Sequence, residues 1–330
     1  MTAPEGLVIR PYAGEADLPE LVRVYNADAA VDGIEEVWTV EGAGAWFGHP
    51  TDQFDARRDV VIAELDGTVV GAGAVDWIDT RDGAHREYRH WGVVHPDVRG
   101  RGIGTALIAE QARHAASLAA EQTFEGRTPT LSSHAGVGRP AEALLADHGY
   151  RVVRWFFDMV RPTLDDVELP ALPDGIELRP VTPDQHETIW RANREAFRDH
   201  WGGSDESIDV LHRILEEPDT DPSLWLIAWD GDEVAGGIWN EIHAAENEAL
   251  GIRRGWLASV FTRRAWRRRG LGAALIGRSL VALRERGMTS AALGVDAENA
   301  SGALGLYERA GFEVHDRFTA WRRPLEEASA

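Results

Sequence analysis

The chain contains an internal repeat, and this repeat restricts the possible folds more than any other feature of the sequence. Val98–Ile108 runs V-R-G-R-G-I-G-T-A-L-I, and Trp266–Ile276 runs W-R-R-R-G-L-G-A-A-L-I. Upstream, the segment 8–11 (V-I-R-P) corresponds to 177–180 (E-L-R-P) at nearly the same separation. Matches in the same order at similar spacing indicate a duplicated domain.

The ends of the two copies also correspond, as 148–150 (H-G-Y) and 310–312 (A-G-F). A chain of 330 residues is long enough for two domains with independent cores. We therefore predict a first copy over residues 1–161 and a second copy over 175–330. Residues 162–174 hold three prolines and several acids, so they are predicted to form the linker.

Each copy has the same succession of predicted elements. An Asp-Gly turn lies between two apolar runs, at Asp66-Gly67 and again at Asp230-Gly231, which indicates a β-hairpin. A further strand follows, and then a Gly-rich turn leads into a long helix, over 104–120 and over 272–286. Helices that alternate with largely antiparallel hairpins predict an α/β fold. We expect two tandem domains, each a mixed, largely antiparallel twisted sheet flanked by helices.

The motif Arg-x-x-Gly-x-Gly occurs in both copies, after a strand and directly before a helix. The turn leaves backbone N–H groups free at a helix N-terminus, where the helix dipole favours anions. Glycine lets a phosphate approach the backbone without a Cβ in the way. The motif lacks the features of a dinucleotide-binding fingerprint, and no Gly-Lys-Ser/Thr of a P-loop occurs. These features predict a pyrophosphate site.

The motif at 267–272 resembles the acetyl-CoA-binding motif of the GNAT superfamily of N-acetyltransferases. Downstream, 296–299 (D-A-E-N) and 303–312 (A-L-G-L-Y-E-R-A-G-F) are similar to the second motif of that family. The tandem arrangement resembles double-domain members from actinobacteria, the mycothiol-synthase-like proteins among them. The resemblance implies acetyl-CoA as cosubstrate, no metal, and transfer of an acetyl group to a primary amine by direct attack.

The resemblance also implies a role for individual residues. The strand end at 260–262 would present backbone groups to the pantetheine and the acetyl carbonyl, and Arg268–Ala273 would hold the pyrophosphate. Asn299 would contact the cofactor arm, and Tyr307 would lie near the sulfur as general acid. In the second copy the implied cofactor-binding residues are Val260, Phe261, Thr262, Arg267, Arg268, Arg269, Gly270, Leu271, Gly272, Ala273 and Asn299. In the first copy they are Val94, Arg99, Gly100, Arg101, Gly102, Ile103, Gly104 and Thr105.

The general base is left open by the sequence. Aminolysis of a thioester needs an oxyanion donor, an acceptor for the amine proton and a proton donor for the leaving thiolate. A Tyr hydroxyl, with an ordinary pKa of about 10, suits the last role. Mycothiol-synthase-like enzymes often carry a carboxylate early on the strand before the turn, but 255–262 contains none. This departure argues against mycothiol synthase itself. Glu241 is the first candidate base, and Glu248 and a water relay are the others.

The first copy lacks the second of the two GNAT motifs. Leu145 stands at the position that matches Tyr307, and 132–134 (S-S-H) replaces the expected Asn. Because Leu cannot donate a proton, we predict that chemistry takes place in the second copy. The first copy would then bind CoA without turnover, or serve as a scaffold beside the acceptor cleft. His134 is a candidate substitute acid, although a lone His is more often structural.

The amino-acid composition and net charge restrict the ligands and partners that the chain can bind. The chain has no Cys, which excludes a thiol nucleophile and Cys-ligated zinc. Its net charge of −21 disfavours nucleic acid and anionic membranes, and favours a small-molecule or peptide amine that arrives as a cation. No signal peptide or membrane span is apparent, so we expect a cytoplasmic protein. The alternatives are a non-catalytic acyl-CoA sensor and a transferase for a longer acyl group.

Overall fold

The computed structural model describes residues 4–299 and 302–326. Contacts between Cα atoms divide these residues into two compact units. Unit 1 comprises 4–154, 202–205 and 318–326, and unit 2 comprises 155–201, 206–299 and 302–317. Among the helices of this part of the chain, none combines the length and the apolar character that a membrane crossing requires.

Unit 1 contains a sheet in which only the pairing of β4 with β5 is parallel. The order in the sheet is β1-β2-β3-β4-β5, followed by residues 318–324 of β12. Its strands are β1 (Leu7–Pro11), β2 (Val60–Leu65), β3 (Thr68–Asp79), β4 (His85–Val94), β5 (Thr128–Gly136) and the end of β12 (Glu313–Pro324). Its helices are α1 (Leu18–Asp32), α2 (Val40–Gly48), α3 (Ala56–Asp59), α4 (Ile103–Ala120) and α5 (Pro140–Asp147).

Unit 2 repeats this plan with the order β7-β8-β9-β10-β11-β6, and only β10 and β11 pair in parallel. Its strands are β6 (Arg151–Arg161), which enters the unit at residue 155, β7 (Ile176–Arg179), β8 (Leu226–Asp230), β9 (Glu233–Glu241), β10 (Arg254–Thr262) and β11 (Ser290–Asp296). Its helices are α6 (His186–Ala196), α7 (Ile208–Glu216), α8 (Ala244–Leu250), α9 (Leu271–Glu285) and α10 (Ala303–Arg309).

Two apolar cores cover the two faces of the sheet in unit 2. One core contains buried residues of α9 and α10, and the other contains four tryptophans between α6 and the sheet. Trp225 and Trp239 stack with their ring centroids 4.5 Å apart, and Trp190 lies 6.1 Å from Trp239. Because successive side chains alternate across a strand, Trp239 and Glu241 lie on the face covered by α6.

The predicted linker is packed onto unit 2. Leu164 is buried in the core beneath α9, and its N–H donates to the carbonyl of Thr289 at 3.1 Å. A Cβ added to Gly277 of α9 would come within 2.4 Å of the carbonyl oxygen of Glu168. Gly277 therefore lets this segment approach the helix closely.

The last strand of each sequence copy lies in the other unit. In β6, the residues from Phe156 to Arg161 pair with β11 of unit 2. In β12, the residues from Phe318 to Pro324 pair with β5 of unit 1. Trp321 belongs to a core cluster of unit 1, and Arg322 forms a buried ion pair with Glu87 of β4. The predicted fold class is confirmed, and this strand exchange is a further finding.

Candidate active site

The two parallel strands of unit 2 diverge along their length. β10 pairs with β11 only from Arg254↔Ser290 to Trp256↔Ala292, although both strands continue beyond these pairs. A β-bulge shifts the register of β10 against β9 between Leu257 and Ser259. Ala258 at the bulge of β10 and Gly294 of β11 are exposed. The divergence therefore leaves an opening between two strand edges, where an extended molecule with amide groups could add its own hydrogen bonds.

The predicted residues 260–262 form the end of β10 beside this opening. Val260 and Thr262 are half-buried and lie on the α9 face, whereas Phe261 is buried in the core beneath α6. Their backbone pairs with β9 on one side. No pairing with β11 occurs over these residues in the described part of the chain, so their other edge is available.

The Gly-rich turn of unit 2, residues 267–272, begins one residue after a 3₁₀ turn at Arg264–Trp266. Two of its residues adopt the left-handed region, Arg268 with φ 61° and Gly270 with φ 85°. Gly270 caps α9, and no side chain caps this helix end. A Cβ added to Gly270 would meet nothing within 4 Å, so the space before the helix N-terminus is open. The free N–H groups of the first helical turn therefore lie beside open space, where they could bind an anion.

The three arginines of the turn differ in their surroundings. Arg268 and Arg269 are exposed, and within the described residues neither forms an ion pair. Arg267 is half-buried, and its guanidinium donates to the carbonyls of Thr262 and Ala196 and to Asp199. The side chains of Arg268 and Arg269 are thus available to a ligand, while that of Arg267 is engaged within the protein.

Tyr307 lies on α10, close to the start of α9. A Cβ added to Gly272 would come within 3.2 Å of Leu306, which shows how closely the two helices approach. Tyr307 is 6% exposed and packs edge-on against Phe312. In the described part of the chain its hydroxyl has no hydrogen-bond partner. Burial raises the pKa of Tyr307 to about 12, so the phenol stays protonated at neutral pH.

Asn299 ends the first described stretch, in the loop between β11 and α10. Its N–H donates to the carbonyl of Asp296 at 3.1 Å, and its own carbonyl accepts from the N–H of Gly302 at 3.3 Å. Asn299 therefore lies on the connection that leads to Tyr307. This placement fits contact with the cofactor arm, which stays a prediction.

Glu241 lies near the closed end of the divergence. It is the cross-strand partner of Trp256, the last residue of β10 that pairs with β11. Glu241 accepts from His243 at 3.0 Å, and His243 lies 3.6 Å from Glu246, which in turn accepts from the Trp256 indole at 3.1 Å. Burial alone would lower the pKa of His243, but the hydrogen bonds to both carboxylates outweigh it and raise that pKa to about 10.

The structure places a second carboxylate near Glu241 that the sequence alone does not indicate. Glu217 follows the last residue of α7 and is half-buried. Burial raises the pKa of Glu217 to about 7, and repulsion from Glu241 adds to the rise. Glu248, the other predicted candidate, is exposed on α8. Only the folded chain brings Glu217 toward β9, so no local pattern could have identified it.

Unit 1 contains the same turn over residues 99–104. Gly100 has φ 76° and Gly102 has φ 88°, and α4 begins at Ile103 in the same way as α9 begins in unit 2. Val94 ends β4, and Thr105 lies in the first turn of α4. Arg99 donates to the carbonyl of Val94 and to two carboxylates of α1. Arg101 is exposed.

The strands of unit 1 also diverge, but side chains connect them. β4 pairs with β5 only from His85↔Thr128 to Arg89↔Ser132. Beyond that point the Ser133 hydroxyl donates to the carbonyl of His90 at 2.8 Å, and the His90 ring hydrogen-bonds the Tyr150 hydroxyl at 2.7 Å. Both His90 and Tyr150 are buried.

Unit 1 has no phenol that corresponds to Tyr307, since Leu145 stands at the matching position and the candidate substitute acid is His134. Leu145 is buried in the core of unit 1. His134 is exposed on β5, opposite Ala320 of β12, with its ring 6.4 Å from that of Phe318. Throughout the described residues, no group of three or more His, Asp or Glu side chains is arranged to hold a metal ion.

Comparisons with known proteins agree with these features. A family model described as the acetyltransferase (GNAT) family matches residues 186–312, and an acetyltransferase (GNAT) domain model matches residues 56–152. The mycothiol acetyltransferase of Geodermatophilus obscurus is 28% identical over 312 residues, which cover 93% of this chain and 94% of that protein. The mycothiol acetyltransferase of Thermobispora bispora is 34% identical over 223 residues, which cover 67% of this chain and 70% of that protein.

A solved structure supports the same assignment. The GCN5-related N-acetyltransferase from Sphaerobacter thermophilus superposes with a TM-score of 0.72 at 27% identity, covering 98% of both chains. The resemblance predicted from the sequence and the use of acetyl-CoA as cosubstrate are thereby confirmed. The chain belongs to the GNAT family and is a tandem, acetyl-CoA-dependent N-acetyltransferase similar to mycothiol acetyltransferases.

Proposed function

We propose that the chain transfers the acetyl group of acetyl-CoA to the primary amine of a small molecule, and that unit 2 performs the reaction. The observation that carries the proposal is the combination in unit 2 of an open strand divergence, an open Gly-rich turn and a buried phenol whose hydroxyl lacks a described partner. Relatives named mycothiol acetyltransferases support a small-molecule acceptor. The test is a screen in which acetyl-CoA and a panel of small amines are mixed with the enzyme and free thiol is measured.

In this proposal the backbone supplies most of the binding. The N–H groups over 268–273 hold the pyrophosphate at the N-terminus of α9, and the side chains of Arg268 and Arg269 add positive charge. The free edge of 260–262 hydrogen-bonds the pantetheine amides as an added strand would. Asn299 contacts the same arm from the loop after β11.

Acetyl-CoA supplies an activated thioester, and the side chains of unit 2 move the protons. Glu241 accepts a proton from the attacking amine, directly or through water. His243 is a cation at neutral pH, so it positions Glu241 and cannot itself serve as the base. Backbone N–H groups of β10 beside the bulge stabilise the oxyanion. Tyr307 then donates a proton to the departing sulfur.

We propose that unit 1 does not catalyse acetyl transfer. The Ser133 hydroxyl joins β5 to the His90 carbonyl of β4 across the divergence, and Leu145 offers no proton. The sequence copies 1–161 and 175–330 would thus share a fold but differ in function.

Gly270→Val is expected to weaken acetyl-CoA binding by about tenfold or more, roughly 1.4 kcal/mol. The branched side chain would occupy the open space at the helix N-terminus. Isothermal titration calorimetry measures the affinity. Gly102→Val is the control for backbone strain because Gly102 has nearly the same positive φ, 88° against 85°, although Gly102 is buried and Gly270 is exposed. It should leave turnover largely intact.

Two results would contradict this assignment. Unchanged acetyl-CoA affinity in a folded Gly270→Val variant would show that the Gly-rich turn of unit 2 does not bind the pyrophosphate. Loss of activity in a folded Gly102→Val variant would place the chemistry in unit 1 or couple it to that unit.

Glu241→Gln is expected to lower kcat/KM and to flatten its rise with pH, because the amine would lose its proton acceptor. A pH–rate profile with one small amine measures the effect. Glu217→Gln is the companion variant, since the raised pKa of Glu217 would also suit a base. If Glu217→Gln flattens the profile and Glu241→Gln does not, then Glu217 is the base.

A further inference from the structure

Arg267, the first arginine of the motif in unit 2, connects three parts of the unit. Its Nε donates to the carbonyl of Thr262 at 3.0 Å, and Nη2 donates to the carbonyl of Ala196 at 2.8 Å. Its Nη1 donates to Asp199 at 2.9 Å. The end of β10, the Gly-rich turn and the segment after α6 are thus joined through one planar guanidinium.

Asp199 is held on its other side by a second arginine. Arg264 donates to the remaining carboxylate oxygen at 2.6 Å. Hydrogen bonds from Arg267 and Arg264 hold the pKa of Asp199 below its ordinary value, so the carboxylate stays charged at neutral pH. Asp199 is therefore a charged partner for the arginine at the start of the turn.

Unit 1 contains the same arrangement, built from different partners. The Nε of Arg99 donates to the carbonyl of Val94, which lies five residues earlier, as Thr262 does relative to Arg267. The Nη atoms of Arg99 donate to Asp32 at 2.7 Å and to Asp28 at 2.5 Å, both on α1. The two units thus share the bond to the strand carbonyl and differ in the acceptors of the Nη atoms.

We propose that the first arginine of each Arg-x-x-Gly-x-Gly motif is a positioning residue, and that Asp199 sets the acetyl-CoA affinity of unit 2 through Arg267. The inference rests on the proposed pyrophosphate site. Arg268 adopts φ 61°, in a region costly for a residue with a Cβ, so the turn needs an external restraint to keep its N–H groups directed at one point. The Arg267 connection supplies that restraint, and the contribution of Arg267 to cofactor binding is indirect.

Asp199→Ala should raise the KM and the calorimetric Kd for acetyl-CoA about fivefold and change kcat less than about twofold, because only the preorganisation of the turn is lost. Asp199→Glu should recover part of the affinity, since it retains a carboxylate. In a double-mutant cycle, Asp199→Ala should add almost nothing to Arg267→Ala, because both remove the same connection. This non-additivity would show that Asp199 acts through Arg267, and losses of similar size in the two single variants would separate positioning from direct phosphate contact.

The double variant Asp28→Ala, Asp32→Ala in unit 1 is the matched control, since it removes both carboxylates from Arg99. It should leave KM for acetyl-CoA and kcat unchanged. The proposal is overturned if Arg267→Ala weakens binding and Asp199→Ala does not, because Arg267 would then contact phosphate itself. It is also overturned if neither change affects binding while Gly270→Val does, an outcome that leaves the proposed function intact. Unchanged binding in all three folded variants would instead overturn the pyrophosphate site on which both rest.

Discussion

Tyr307→Phe is expected to lower kcat at least about tenfold while acetyl-CoA affinity and the melting temperature stay near those of the parent enzyme. The change removes one hydroxyl and retains the ring that packs against Phe312. That hydroxyl has no partner within the described residues, so its removal breaks no hydrogen bond there. The loss should appear in kcat because the proton donor acts on the leaving sulfur in the transition state.

The effect of Tyr307→Phe should be nearly constant between pH 6 and pH 9. The pKa of Tyr307 is raised to about 12, so the acid is fully protonated throughout this range. Leu145→Ala provides the comparison at the corresponding place in unit 1. It should cost about 2–5 kcal/mol of stability through the lost core contacts and leave the chemistry of the folded fraction unchanged. Full activity of a folded Tyr307→Phe variant would show that the Tyr307 hydroxyl is not needed for catalysis and that the residue serves only in packing.

Ending the chain at Arg317 is expected to unfold unit 1, although the deletion lies at the far end of the sequence. The deletion removes the strand that pairs with β5 from Gly136 to Thr130. It also removes Trp321 from the core and leaves buried Glu87 without Arg322. Loss of a buried Trp and of one partner in a buried ion pair each cost about 3–5 kcal/mol. Together they approach the whole stability of a domain, about 5–15 kcal/mol.

Hydrogen exchange followed by mass spectrometry would locate this loss. Amides of β4 and β5 should lose protection, while those of β8 and β9 should retain it. Trp321→Ala is the milder variant and should lower the stability of unit 1 by about 3–5 kcal/mol without removing its last strand. Unchanged protection of β4 and β5 in the truncated chain would show that β12 is dispensable.

The sequence predicted local features of the fold well, because their causes are local. The Asp-Gly turn at 66–67 joins β2 to β3, and the left-handed conformation of Gly102 and Gly270 places both Gly-rich turns before a long helix. Repetition of these patterns was sufficient to predict two domains of one fold.

Features that depend on distant partners could not be predicted in this way. A guanidinium beside two glycines resembles a phosphate ligand, and only the folded chain shows that Asp199 holds Arg267. The raised pKa of Glu217 depends on burial and on Glu241, which lies in a different element. The exchange of β6 and β12 was equally inaccessible, since the alternation of side chains along a strand is the same in either sheet.

The strand exchange has a consequence for how the protein is made. Unit 1 comprises nearly half of the chain and would be expected to fold first as it leaves the ribosome. Its sheet stays incomplete until residues 318–324 have been synthesised. At about 5–20 residues per second, the delay after residue 154 is roughly 10–30 s. During this interval β5 offers an unpaired edge to other nascent chains. In a protein that contains only the first copy, the edge of β5 would stay unpaired permanently, and that protein should aggregate.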